Sequence, residues 1–231
     1  MRDISERVKA EEHNRFLTRE LAHRSKNLLA LVSATMKQAA QQSTSVQDFE
    51  KLCEDRLRAI SHAQDLLLAS DWKGAAVADV VRTSLKPFIV DAACLEMQGP
   101  DVELNTEAVH TFSLVLHELA TNDAKFGALT KPEGKIVVNW QLDTVKSNSG
   151  RFRMSWRELG GPAVAPPKQT GFGHDVIAEM PKHELAANVS LEYLPGGLFW
   201  SIDVPAGRAV GGNAEGSNTS ALKSKSFGQA E

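Results

Sequence analysis

Cysteine is scarce in this sequence. Cys53 and Cys94 are the only two in 231 residues, too few for a disulfide framework or a structural zinc site. They read as reduced, buried thiols of a cytosolic protein. Long apolar runs are missing as well. None approaches the roughly 18 residues that a bilayer-spanning helix needs. The N-terminus is charged from Arg2 onward and lacks the apolar core of a signal peptide, so no membrane anchor is expected in this chain. Positive charge is not in excess either. The formal net charge is −3, and no global basic character invites nucleic acid. No repeat of solenoid period is present. What remains is ordinary for a globular protein, with 42% hydrophobic and 24% charged residues, in a length that suits one large domain or two small ones.

From about Glu6 to Gln41 the pattern is helical, and neither glycine nor proline interrupts it. Leu21, Leu28, Val32 and Met36 fall in one narrow sector, with Leu17 and Thr35 beside it. With Leu21 at zero, His23 lies at about 200°, on the side of Arg19, Glu20, Lys26 and Asn27. It projects from a polar surface, opposite the packing stripe. Gln41–Ser45 reads as a turn. A second helix follows over about Val46 to Ser70. Val46, Cys53, Ile60 and Leu67 repeat every seven residues there, with Phe49 and Ala63 at intervening apolar sites. Two helices with facing stripes and a short connection predict an antiparallel hairpin. One hairpin alone exposes too much apolar surface, so pairing of two copies into a four-helix bundle makes a homodimer the default.

Asp71-Trp72-Lys73-Gly74 reads as a linker. A short helix over about Val77 to Phe88 comes next, then candidate strands around Cys94–Met97 and Val102–Leu104, with Gly99-Pro100 between them. A long apolar helix is expected over about Thr106 to Phe126, stopped at Gly127, a common helix C-terminal signal. Glu118, Asn122 and Lys125 share one side of it at i, i+4 and i+7. Such a triple is either a solvated face or a place where an acid, an amide oxygen and a cation serve water, Mg2+ and phosphate. Lys135–Leu142 and Arg151–Arg157 are strong strands joined by a polar turn at Ser147–Gly150. Gly160–Thr170 is a proline-rich loop, Gly171-Phe172-Gly173 opens a helix to about Ala186, and Val189–Leu194 with Leu198–Val204 forms a terminal hairpin. The expected fold class is α+β, a helical hairpin followed by a mixed sheet with helices on one face. From Gly207 the composition points to a disordered tail.

Four stretches carry a family resemblance. Leu116-His117-Glu118-Leu119-Ala120-Thr121-Asn122-Asp123-Ala124-Lys125-Phe126-Gly127 resembles the nucleotide-binding N box of histidine kinases, and its leading His117 to Asn122 resembles the HWE subfamily. Trp156-Arg157-Glu158-Leu159-Gly160-Gly161-Pro162 is similar to that subfamily's Trp-x-Glu motif. Gly171-Phe172-Gly173 is similar to its second glycine box. Upstream, Glu20-Leu21-Ala22-His23-Arg24-Ser25-Lys26-Asn27-Leu28 looks like its phosphoacceptor box. The four stand in the family's order, which makes the signal specific where each alone would be weak. Asp3-Ile4-Ser5-Glu6-Arg7 resembles the ending of many PAS sensor domains; the alternative is a polar helix start with Ser5 as N-cap.

The resemblance implies a two-component sensor histidine kinase core. Residues 1–15 would be a signalling helix from a sensor domain that is absent from this chain or supplied separately. Residues 16–73 would form the dimerisation and histidine-phosphotransfer hairpin, 74–206 a GHKL-type α/β sandwich that binds ATP, and 207–231 the tail. The activity implied is ATP-dependent autophosphorylation of His23, followed by transfer to an aspartate on a response regulator receiver domain, in the cytoplasm. Asn122 would hold Mg2+. Glu118 would orient a metal-bound water or take the proton from His23, and Lys125 would reach a phosphate. Glu158 would accept from the adenine amino group, and Gly160 would let the backbone approach the base. Gly171 and Gly173 would present amides to phosphate, with His174 next to them. Two departures stand out. Asp123 replaces a small residue; its negative charge, close in sequence to the metal–phosphate site, either weakens ATP binding or points away. His174-Asp175 replaces the more typical Thr-Arg. They motivate an alternative, a phosphotransfer or docking module whose GHKL domain no longer binds ATP. A GHKL-fold kinase acting on serine is a second alternative, against which the His23 box argues.

Overall fold

A computed structural model of the chain describes residues 25–26, 28–30, 32–37, 39–41, 43–143, 150–164 and 172–211. The described residues divide into two compact units between Leu57 and Arg58. The stretch around Asp3–Arg7 and His23, the expected phosphoacceptor, lie outside them.

In the first unit the described backbone is helical at 25–26, 28–30, 32–37 and 39–41. Thr35 and Ala39 are its buried side chains, in line with the half-buried Leu28 and Val32. Met36, expected on the packing stripe, is 43% exposed. The stripe is centred on Thr35 and Ala39, which leaves Met36 about 70° to one side. The next helix, α1 (Val46–Ala69), starts with reciprocal capping. Asp48 donates its N–H to Ser45 Oγ at 3.1 Å, and its carboxylate accepts from the Thr44 N–H at 3.1 Å. The heptad stripe is buried at Cys53, Ile60 and Leu67, but Val46, in the first turn, is 68% exposed.

In the second unit α1 ends in a Schellman motif. Trp72 N–H donates to Leu67 O at 2.7 Å and Asp71 N–H to Leu68 O at 3.2 Å, with Asp71 at φ 52 and Trp72 at φ 62. Two successive non-glycine residues in the left-handed region are unusual. Thr106 helps hold them by donating its hydroxyl to Trp72 O at 3.2 Å. The segment that reads as a linker is thus a fixed corner. It leads into β1 (Ala75–Ala76), α2 (Val77–Leu85), β2 (Leu95–Gln98) and β3 (Glu103–Leu104). β1 pairs antiparallel with β3; two alanines carry no alternating pattern, so periodicity did not reveal this strand. Cys53 and Cys94 are both free, and Cys94 is only half-buried.

α3 (Thr106–Phe126) is capped by Asn105, which accepts from the Ala108 N–H at 2.9 Å. On its inner side Phe112 meets Phe152 edge-on at 5.6 Å. Near its start His110 Nε2 lies 2.9 Å from Gln64 Nε2 of α1. The amide nitrogen can only donate, so the imidazole accepts and its own proton sits on Nδ1. Burial lowers the His110 pKa, which keeps the ring neutral as that bond requires.

The main sheet has the order β2-β4-β5-β7-β6, with β4 (Lys135–Asp143), β5 (Arg151–Leu159), β6 (Asn188–Leu194) and β7 (Gly197–Pro205). β2 and β4 are parallel and the other neighbours antiparallel. Period-two alternation turns Ile136, Val138 and Trp140, then Phe152, Met154 and Trp156, then Leu198, Trp200, Ile202 and Val204 to the buried face. The opposite face is polar, with Arg151 and Arg153 both paired to Asp203. The chain stays in the fold past the expected tail boundary at Gly207. Ala206–Ala209 forms a short helix, Ala209 is buried, and Gly211 N–H donates to Glu103 O at 3.0 Å. Among the described residues no helix is long and apolar enough to cross a membrane.

The helix expected to open at the Gly-Phe-Gly box is not regular. It runs as Phe172–His174, a π-helical turn Asp175–Glu179, and α4 (Met180–Leu185). Pro181 supplies the reason. It has no N–H to give the carbonyl of Ile177, and Ile177 O accepts instead from Trp200 Nε1 at 2.7 Å. Trp200→Phe keeps an aromatic ring but removes the Nε1–H that Ile177 O accepts, together with the rest of a fully buried indole. The expected cost is about 1–3 kcal/mol in urea unfolding at 25 °C; a loss below about 0.5 kcal/mol would show that the π turn does not rely on this bond.

Candidate functional site

α3 carries two kinds of side chain on adjacent faces. Leu116, Leu119, Ala120 and Asp123 are buried. Glu118 and Asn122, one turn apart, are half-buried along the edge of that stripe, and Lys125 is exposed in the last turn. His117 belongs to the packing, edge-on to Phe88 at 5.3 Å.

Gly173 lies against the Glu118–Asn122 edge. A Cβ at this glycine would stand 3.5 Å from Glu118 Oε2, 3.5 Å from Asn122 Nδ2 and 4.0 Å from Asn122 Oδ1. One carboxylate and one amide oxygen therefore converge beside the first turn of the following helical run. A hard cation with few protein ligands and several waters suits that donor set. His174, next in line, is half-buried. It adds to the field that holds Glu179 below the usual carboxylate range, after the dominant hydrogen bond from Lys182. Gly171 lies outside the described residues.

A second cluster stands at the end of α3. Glu158 continues the inward alternation of Phe152, Met154 and Trp156, so β5 delivers a carboxyl group where its pattern calls for an apolar side chain. It is 3% exposed and accepts from the Leu198 N–H at 3.2 Å. Asp123 is fully buried. It accepts from the Ala128 N–H at 2.5 Å and the Leu129 N–H at 3.3 Å, and it hydrogen-bonds Glu158. Of the two readings of Asp123, the one in which its carboxyl points away from the Glu118–Asn122 edge is the one the fold adopts. One step of about 100° along the helix turns it from Asn122 toward Glu158.

Glycines shape this corner. Gly127 has φ −105, so the helix does not stop there through a left-handed cap. A Cβ at Gly127 would lie 2.1 Å from Asp123 Oδ1 and 2.6 Å from Glu158 Oε2, and space is what demands glycine. Gly197, at φ +134, brings β7 within 2.7 Å of the Glu158 Cβ by the same measure. Gly160 sits at φ +73 in the exposed turn after β5.

Burial pushes Asp123 up to about 6, against the lowering effect of its backbone hydrogen bonds. Burial, then the charge of Asp123, pushes Glu158 up to about 7, against the Leu198 N–H. The indole of Trp156 also favours the Glu158 anion, although its N–H closes no full hydrogen bond among the described residues. Two carboxyl groups in such contact share one proton near neutrality. Sequence reasoning placed Glu158 in a site but missed its partnership with Asp123. The signal was present: Asp123 repeats the apolar spacing of Leu116, Leu119 and Ala120.

Residues 20–101 match the model of the HWE histidine kinase family. A blue-light-activated histidine kinase of Brucella anthropi is 35% identical over 204 residues, covering 88% of this chain and 41% of that protein. The protein of the same name in Brucella ovis is 34% identical over 206 residues, covering 89% and 42%. The chain thus spans about two fifths of the length of these curated relatives. Among solved structures, the histidine kinase domain of a blue-light activated histidine kinase from Erythrobacter litoralis superposes with a TM-score of 0.52 at 16% identity, covering 78% of this chain and 84% of that one. The longer structure of that kinase gives 0.53 at 17% identity, with coverages of 80% and 57%. At such identities the structures speak for the fold.

The carboxyl pair predicts an unusual pH dependence. Both groups bind protons more tightly in the folded than in the unfolded chain. Their contribution to stability is complete below about pH 4 and is lost as pH rises through about 6 to 7. Glu158→Gln cannot ionise, and its amide can donate to Asp123. Urea unfolding at pH 5 and pH 8 should show the parent losing stability relative to this variant as pH rises. Parallel pH profiles for the two proteins would rule out the shared proton.

Proposed function

We propose, from the premise that this chain belongs to the HWE histidine kinase family, that it is the ATP-dependent protein-histidine kinase core of a two-component system. The observation that carries the reading is the convergence of Glu118, Asn122 and Gly173 on one face of the C-terminal half of α3, with the Glu158 carboxyl on the adjacent, buried face. A metal–phosphate site and a base site are thus offered along one helix. ATP is the substrate. Asn122 would hold Mg2+, which would neutralise phosphate charge when bound. Lys125 and the amides around Gly171, Gly173 and His174 would steady the phosphates, and Glu158 with Gly160 would meet the adenine ring.

His23 is the acceptor in this reading. A neutral imidazole nitrogen is nucleophilic near pH 7, since its ordinary pKa is about 6.5. It takes the γ-phosphoryl group as the bond to the bridging oxygen breaks and ADP leaves, and the imidazole proton passes to Glu118. A receiver-domain aspartate of a response regulator then takes the group from His23. The protein works in the cytoplasm, as a homodimer built on the hairpin, under a PAS-like sensor outside this chain. The second reading, a docking module without ATP, is favoured by one observation: Glu158 is nearly sealed and already engaged by Asp123 and Leu198. Titration with a fluorescent ATP analogue separates the two.

His23→Ala should abolish labelling by radioactive ATP and Mg2+ while nucleotide binding stays intact. The parental phosphoprotein should be acid-labile and base-stable; equal labelling of the mutant would remove His23 as acceptor. Asn122→Ala should lose Mg2+-dependent nucleotide binding, because none of the other α3 side chains offers an equivalent oxygen at that position. Parental autophosphorylation rates in this mutant would refute the metal assignment.

A further inference from the structure

Asp123 follows Asn122 directly but takes no part in the chemistry assigned to the Glu118–Asn122 edge. It stands on the buried stripe of α3, where a carboxyl group is costly unless its oxygens are satisfied. Its partners come from two other parts of the fold. The Ala128 and Leu129 amides belong to the turn after α3, and Glu158 belongs to the end of β5. Gly127 packs against both carboxyl groups. Gly161, just beyond Glu158 and Gly160, packs on the same turn, with its Cβ position 2.8 Å from Ala128 N. One side chain thus ties together the end of α3, the turn at 127–130 and the end of β5.

We propose that Asp123 is a positioning residue for base recognition: it holds Glu158 and the 127–129 turn in place, so that a purine base meets a preformed acceptor. The inference rests on the reading of Glu158 as the carboxylate that accepts from the adenine amino group. Telling an amino donor from a carbonyl oxygen requires an acceptor at a fixed place and angle. A carboxylate without its brace spreads over several rotamers, and the advantage of adenine over guanine is lost. Polyphosphate contacts at the Glu118–Asn122 edge do not use the Asp123 carboxyl, which is engaged by Ala128, Leu129 and Glu158. Removing the brace should therefore weaken adenine nucleotides selectively.

The test is calorimetric titration of the whole chain with ADP and with GDP, in Mg2+ and at one fixed pH. The parent should prefer ADP. Asp123→Ala should lose about tenfold in ADP affinity, the worth of one charged hydrogen bond, with GDP affinity changed by no more than about twofold. Asp123→Asn should restore the preference, because its oxygen can accept from the Ala128 N–H and its amide can donate to Glu158. If Asp123→Ala does not fold, Asp123→Ser must show the same collapse. An unchanged ADP-to-GDP ratio in a folded Ala or Ser variant overturns the inference. So does an Asn variant as unselective as Ala. Tighter ADP binding by the Ala variant overturns it as well, since Asp123 would then be occupying the seat of the base. A parent that binds neither nucleotide, or binds both alike, removes the Glu158 reading and the inference with it. A selective parent with indifferent variants removes the inference alone.

Discussion

Burial of α3 on nearly every side is the constraint on which the second unit depends. Twelve of its 21 residues are buried, each large apolar side chain contributing about 1.5–3 kcal/mol relative to exposure. α2, the sheet and the helical run after Phe172 supply its surroundings. A helix so enclosed has only a narrow strip left for chemistry, and Glu118, Thr121 and Asn122 occupy it as half-buried residues. The same enclosure brings Gly173 against that strip. The candidate site is a consequence of how the core closes around one helix.

Three polar contacts inside that core do work that apolar packing could not. Gln64 with His110, Trp200 with Ile177 O, and Asp123 with Glu158 each join segments distant in the chain. A buried group left without its partner costs about 1–3 kcal/mol, so each contact penalises any displacement of the segments it joins. His110 ties the end of α1 to the start of α3. Trp200 holds the π turn beside the Gly173 edge. Asp123 and Glu158 close the other end of α3. The two sides of the candidate site are therefore held by different contacts, although Asn122 and Asp123 are neighbours on the same turn of α3.

Much of this was legible in the sequence because it rests on local periodicity. The span of α3 and its stop at Gly127 follow from apolar spacing and the terminal glycine. The alternation in β4, β5 and β7 sets which residues face inward, and Glu158 falls on that inner face by the same count. β1 escaped notice because two alanines have no pattern. The corner at Asp71 and Trp72 looked like a linker because nothing local announces two left-handed residues without glycine. The irregular turn before α4 was announced only by Pro181, whose effect depends on Trp200 in a later strand.

The sequence by itself determined the α+β class, the long α3 helix, and the face shared by Glu118, Asn122 and Lys125, because helix and strand periods act between neighbours. Only the tertiary structure decided where Asp123 points in effect. Its angle on the helix could be counted, but the turn amides and Glu158 reach it through chain closure and sheet register, which no local pattern encodes. The same holds for Gly127. A terminal glycine suggests a left-handed cap, yet its φ is ordinary, and what excludes any side chain there is the approach of two carboxyl groups from separate elements.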